Sequence, residues 1–201
     1  LSYAPGSAER QALIAELDAQ QARVLEIPAI VGGERIASGS FTDVRAPHAH
    51  HQQLGRIHNA DAGTIHAAID AAVAAQRDWS QATLAERAAV FLKAADLLAG
   101  PWRARLNAAT MLGQSKTAYQ AEIDSACELI DFWRFNPHYA QELYAEQPLS
   151  NASMWNQLDY RPLEGFVYAV TPFNFTAIGG NTQYIFFNIK TDSTGNGISH
   201  H

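Results

Sequence analysis

The 201 residues are 47% hydrophobic and 17% charged, with a net charge of −6. This is ordinary globular composition, and its interspersed acids and bases favour neither nucleic acid nor an anionic membrane surface. No apolar run approaches the length needed to cross a bilayer, no basic-then-apolar leader opens the sequence, and the single cysteine excludes an internal disulfide framework; a cytoplasmic protein is expected.

In chain order, Ser7 caps a helix expected to run to about Glu26, with Leu13, Ile14, Leu17 and Val24 on one face and Pro28 as its stop. Residues 29–36 read as two short strands about a Gly32-Gly33 turn, and residues 41–46 and 54–60 as two further strands of the same small sheet. Between them, His48, His50 and His51 lack a carboxylate or thiol to complete a metal site, so the stretch reads as a solvated loop with no metal. Asp61 caps a helix carrying Ile65, Ala68, Ile69, Ala72 and Val73, and Thr83 with Glu86 forms a capping box before Phe91, Ala94, Ala95 and Leu98. Gly100-Pro101 is expected to close that helix and open the next at proline, which carries Leu106, Ala109 and Met111.

Ser115 is expected to start the longest helix, interrupted at Asn136-Pro137 and resuming to about Tyr144. Of its acids, Glu122, Asp124 and Asp131 read as a solvated face. Glu128, between Ala126 and Leu129, lies near the apolar stripe and is the carboxylate singled out. Cys127 has no histidine or basic residue near it in sequence and reads as a packed helix residue rather than a nucleophile. After a polar linker, residues 154–161 alternate as a half-exposed strand would.

Residues 165–170 suit a strand buried on both faces, stopped at Thr171-Pro172. Beyond the carboxyl end of such a strand, where open α/β sheets bind ligands, stands Asn174, followed by Thr176 and Gly179-Gly180. Its amide could hold a developing oxyanion, or merely satisfy backbone groups of the turn.

The run from Leu163 through Pro172-Phe-Asn-Phe-Thr-Ala-Ile-Gly-Gly180 to Asn181 resembles the aldehyde dehydrogenase superfamily, and within it the 1-pyrroline-5-carboxylate dehydrogenase branch. Residues 91–96, 120–124, 128–132 and 134–136 carry the same likeness, which covers roughly residues 1 to 181. The resemblance implies an α/β fold: the N-terminal part of an aldehyde dehydrogenase, with helices and a small antiparallel sheet leading into the first strand of a Rossmann-like parallel sheet. Residues 1–145 would belong to the NAD-binding domain, 146–164 to an oligomerisation flap, 165–181 to the first parallel strand and active-site turn. The implied activity is NAD-dependent oxidation of L-glutamate γ-semialdehyde to L-glutamate. Asn174 would be the catalytic oxyanion donor and Glu128 and Phe175 would meet the small aldehyde substrate. Val170, Thr171, Pro172 and Phe173 would run along the nicotinamide half of NAD. A homo-oligomer is implied.

Residues 182–201 have no counterpart in that likeness and suggest a frameshift, a vector-encoded extension or a truncated gene. The sequence carries no activated nucleophile, general base or Gly-rich pyrophosphate turn, so the chain by itself is expected to be inactive. The other readings are a non-catalytic module that pairs with a full-length subunit, another aldehyde dehydrogenase branch, or a helical scaffold with an unidentified ligand.

Overall fold

The computed structural model describes residues 1–181; the expectation for residues 182–201 lies outside the described residues. Helix α1 (Ala8–Gln21) starts at the expected cap, Ser7, whose hydroxyl accepts from the Arg10 N–H. It ends five residues earlier than expected, because Leu25–Ile27 forms a strand, β1, parallel to β5 (Ala49–His58). Ile27 precedes Pro28, a position that disfavours helical backbone, and the β5 ladder satisfies the β1 amides instead.

The hairpin of β2 (Ala29–Val31) and β3 (Glu34–Ile36) forms as the paired glycines require. Gly32 and Gly33 both have positive φ, 59° and 89°, the backbone of a primed two-residue turn. The other strands do not extend this hairpin. β4 (Phe41–Ala46) pairs antiparallel with β5 in a separate three-stranded sheet of order β1-β5-β4. β5 is longer than expected and includes His50 and His51, so only Pro47 and His48 make the turn.

Helices α2 (Ala62–Trp79) and α3 (Leu84–Ala99) start at the expected caps. Asp61 accepts from the Thr64 N–H at 2.7 Å, and Thr83 and Glu86 form both bonds of a capping box. The next helix, α4 (Arg103–Gln114), begins after Trp102, so Pro101 lies in the connecting turn and not at the first helical position. Ser115 does not start a helix. Its left-handed backbone, φ 55° and ψ 35°, terminates α4, and Thr117 caps α5 (Ala118–Ala121) through a second capping box with Gln120.

From α5 the chain passes without a break into a π-helical turn (Glu122–Cys127) and α6 (Glu128–Ala145). The Glu128 N–H reaches the Ile123 carbonyl, five residues back, which marks the widened turn. α6 runs through Pro137, contrary to the expected interruption; proline removes one ladder donor there, but its ring is buried. The core lies where α3, the π turn and α6 meet, around Ala95, Leu98, Ala126, Leu129 and Ile130. It also takes in Ile178 from the short helix α7 (Ile178–Asn181).

Two expected strands are absent. Between residues 151 and 161 only an isolated bridge joins Asn151 to Met154, and residues 165–170 have no ladder partner among the described residues. Phe166 is 47% exposed and Val170 78%, so the apolar run is not buried. Strand formation depends on neighbours, and hydrophobic residues alone do not supply the N–H and C=O partners.

Candidate active-site turn

Helix α4 carries a polar stripe that the search for apolar periodicity passes over. Arg103, Asn107, Thr110 and Gln114 are spaced by four, three and four residues and therefore share one face. That face meets the π turn at one end and the turn at residues 174–176 at the other.

At the first end stands Glu122, only 3% exposed. Its carboxylate accepts from Arg103 Nε at 3.1 and 3.2 Å, from Arg103 Nη2, from Asn107 Nδ2 at 2.9 Å, from the Tyr3 hydroxyl at 2.7 Å and from the Leu1 amine. Burial pushes this carboxyl up, but the bonds from Arg103, the amine and Tyr3 outweigh it and bring the pKa down to about 2. Tyr3 moves the other way, to about 12, through its own burial and its bond to the carboxylate. Glu122 is therefore a sealed structural acid and not part of the solvated face expected for it.

Glu128, the acid singled out in the sequence, is exposed. Its sequence neighbours Ala126 and Leu129 are buried, but residues one or two apart do not share a helix face. Cys127 does have a basic neighbour, which the sequence did not reveal: Arg103 Nη2 donates to its sulfur at 3.3 Å. Burial and the adjacent Glu122 charge nevertheless push the thiol up, which keeps it protonated and unreactive.

At the other end Thr110 bonds three ways. Its hydroxyl donates to the Leu106 carbonyl at 2.9 Å and lies 2.6 Å from both the Ser125 and the Thr176 hydroxyls. Ser125, on the π turn, is 1% exposed. Gln114, with its amide set to satisfy both atoms, donates to the Asn174 carbonyl at 3.2 Å and accepts from the Thr176 N–H at 3.0 Å. Lys116 completes the grip. Its ammonium lies 2.6 Å from the Asn174 carbonyl, 2.5 Å from an Asp124 carboxylate oxygen and 5.2 Å from the centre of the Phe175 ring. Phe175, Ala177 and Ile178 then pack into the core.

Asn174 is exposed, and it is the carbonyl rather than the side-chain amide that the helices hold. Gly179 folds back against Pro172, where a Cβ would lie 2.8 Å from the proline Cδ, so the close return of the turn needs glycine there. Thr171, Pro172 and Phe173 are exposed, Phe173 to 94%. Of the residues expected to form a site, Asn174 and Phe175 lie together on the held turn with residues 170–173 leading into it, and Lys116, Gln114, Thr110 and Ser125 behind them are additions. His48, one of the three histidines weighed for metal, bonds the Ser115 hydroxyl through Nδ1 at 2.8 Å.

Residues 36–183 match the aldehyde dehydrogenase family. A delta-1-pyrroline-5-carboxylate dehydrogenase of Agaricus bisporus is 49% identical over 183 residues, spanning 90% of this chain and 34% of that protein. The mitochondrial delta-1-pyrroline-5-carboxylate dehydrogenase of Bos taurus is 50% identical over 181 residues, 90% of this chain and 32% of that one. Among solved structures, the delta-pyrroline-5-carboxylate dehydrogenase of Mycobacterium tuberculosis bound with NAD superposes with a TM-score of 0.90 at 51% identity, covering 94% of this chain and 36% of that chain. This chain thus spans about a third of the length of the relatives it matches. A match over nearly three quarters of its residues, with the fold to accompany it, makes the chain a member of the aldehyde dehydrogenase family.

Proposed function

We propose that the chain supplies the oxyanion side of an NAD-dependent oxidation of L-glutamate γ-semialdehyde, the aldehyde form of 1-pyrroline-5-carboxylate, to L-glutamate. The observation that carries the proposal is the turn at residues 174–176, held at backbone and ring from α4 and the π turn while the Asn174 amide stays exposed. A donor carried on a fixed backbone at an open surface suits an oxygen whose charge grows during reaction, because little backbone reorganisation is needed as the charge develops. The near-half identity to proteins named for 1-pyrroline-5-carboxylate favours that aldehyde over others.

In this reading a thiolate adds to the aldehyde carbon and the carbonyl oxygen becomes an oxyanion, to which the Asn174 amide donates. NAD, when bound, accepts the hydride that leaves the same carbon. Water then cleaves the resulting thioester, releasing the carboxylate and the thiol. The thiolate is not Cys127. That sulfur meets Arg103, the first residue of α4, whereas Asn174 is held by Gln114, the last, and these two helix positions are about 16 Å apart along the axis at 1.5 Å per residue. With its one thiol placed there, the 201-residue chain is expected to produce no NADH from the semialdehyde.

Residues 170–173 fit one wall of a nicotinamide site, since they are exposed and free of ladder partners among the described residues. Phe175 is assigned to the substrate pocket wall, half-buried beside the Lys116 ammonium. Glu128 is assigned to the substrate side because an exposed acidic side chain can turn toward a cationic amino group such as the semialdehyde carries. The exposed Leu149 (92%) and Trp155 (79%) offer an apolar strip for a second copy, and a homo-oligomer is proposed on that ground. The cytoplasm is the proposed setting; among the described residues no helix is long and apolar enough to cross a membrane.

The test uses an enzyme of full family length that carries these residues, assayed for NADH formation with the semialdehyde, a short aliphatic aldehyde and an aromatic aldehyde. Preference for the semialdehyde is expected. Equal or better turnover of the other two would overturn the substrate assignment.

A further inference from the structure

Lys116 stands between two fixed pieces of backbone. Ser115 before it ends α4 in the left-handed region, and Thr117 after it opens α5 with a capping box. Left-handed backbone is strained for a non-glycine residue, and the surrounding contacts must offset that strain. His48 braces the Ser115 hydroxyl, and the resulting corner directs Lys116 across to the turn at Asn174 instead of into solvent. The Lys116 side chain is 16% exposed, low for a lysine.

We infer that Lys116 is a positioning residue for Asn174, fixing the carbonyl of that residue so that its amide is aimed before substrate arrives. The inference rests on the assignment of Asn174 as the oxyanion donor. An ammonium on a backbone carbonyl is a charge-assisted bond, stronger than the neutral bonds that hold the rest of the turn. Asp124 at 2.5 Å balances the charge, and the Phe175 ring accepts its other face. The groups that meet the ammonium therefore include a carboxylate, a carbonyl and a ring, drawn from the π turn and from two successive residues of the active-site turn. Lys116 touches Asn174 only through the main chain, so losing it should misplace the amide without removing it. Misplacement by about 1 Å at a reacting centre can cost about 10²-fold in rate.

The experiment is a double-mutant cycle in an enzyme of full family length carrying these residues: Lys116→Met, Asn174→Ala and both together, with kcat, KM for NAD and thermal midpoint measured for each. Lys116→Met is expected to lower kcat by about 10- to 100-fold with KM for NAD nearly unchanged, and to cause no further loss once Asn174 is alanine. A merely structural lysine would lower the thermal midpoint in both backgrounds and leave kcat of the folded fraction alone. If Lys116→Met does not fold, Lys116→Gln, which keeps an N–H donor without the charge, takes its place in the same cycle. Parental kcat in the lysine variant beside an impaired Asn174→Ala would overturn the inference, as would equal losses in both backgrounds. Parental kcat in Asn174→Ala would instead overturn the oxyanion assignment itself, which separates the two failures.

Discussion

Glu122 and Asp124 are two residues apart on one π-helical turn, and each accepts from a cation supplied by α4 or the loop just past it. Their surroundings differ. The Glu122 side chain is 4% exposed and saturated by Arg103, Asn107 and Tyr3, whereas the Asp124 side chain is 26% exposed and shares Lys116 with the carbonyl of Asn174. One acid locks helices together, and the other sits behind a turn that presents an amide outward. Residues two apart do not share a helix face, so the two acids meet different partners.

The largest test of the sealed end is Glu122→Ala. It leaves Arg103 buried without its carboxylate, and a stability loss of about 3–5 kcal/mol is expected by chemical denaturation. The parent should also show two pH edges. Glu122 titrates lower in the folded protein than its ordinary 4.5, so its contribution is full above pH 4.5 and is lost as pH falls toward 2. Tyr3 titrates higher than its ordinary 10.0, so its contribution is full below pH 10 and is lost as pH rises toward 12. Unfolding midpoints measured across pH should show the acid edge in the parent and lose it in Glu122→Ala. An acid edge of unchanged size in the variant would show that other carboxylates set it.

At the open end the effect should fall on turnover and not on stability. Asn174→Ala, in an enzyme of full family length, is expected to lower kcat by about 10² to 10³ while leaving KM for NAD and the thermal midpoint nearly unchanged. The side chain is exposed and the helices hold only its carbonyl, which alanine retains, so little folding energy is at stake. A stable variant with unimpaired kcat would reduce Asn174 to a turn residue.

These contrasts were unequally legible in the sequence. The caps at Ser7, Asp61 and Thr83 could be read because a cap is settled within four residues. The turn at Asn174 was legible through its resemblance to a family and through Pro172. The strand β1, the bare edge at residues 165–170 and the burial of Glu122 were not, because each depends on a partner distant in sequence. The apolar sequence neighbours of Glu128 favour it over Glu122, although a helix face is set by residues three and four apart. The π turn shifts the faces further, since one inserted residue rotates everything after it by about 100°. The polar stripe of α4 was visible as spacing, and a search tuned to apolar residues does not register it.

Thr110 lies midway along that stripe and tests whether the two ends are joined. Thr110→Val keeps the shape and removes the hydroxyl that meets both Ser125 and Thr176, leaving the buried Ser125 hydroxyl without this partner. A stability loss of about 1–3 kcal/mol is expected, with a fall in kcat well short of that for Asn174→Ala. Loss of stability alone, at parental kcat, would mean that the Thr176 contact does not help hold the active turn.

The smallest effect is expected for Asp124→Asn, and it decides which member of the Lys116 pair matters. The pair is only partly shielded, with side chains 16% and 26% exposed, so solvent screens much of its attraction and its contribution to stability should stay within about 1 kcal/mol. Asparagine keeps an oxygen where the carboxylate stood, so the ammonium retains an acceptor there and need not leave the Asn174 carbonyl. The expected result is therefore a thermal midpoint shifted by at most a few degrees and a kcat within about threefold of the parent. A loss in Asp124→Asn as large as that in Lys116→Met would transfer the positioning role to the carboxylate, because the lysine would then be an ion pair's arm that reaches Asn174 only when Asp124 directs it.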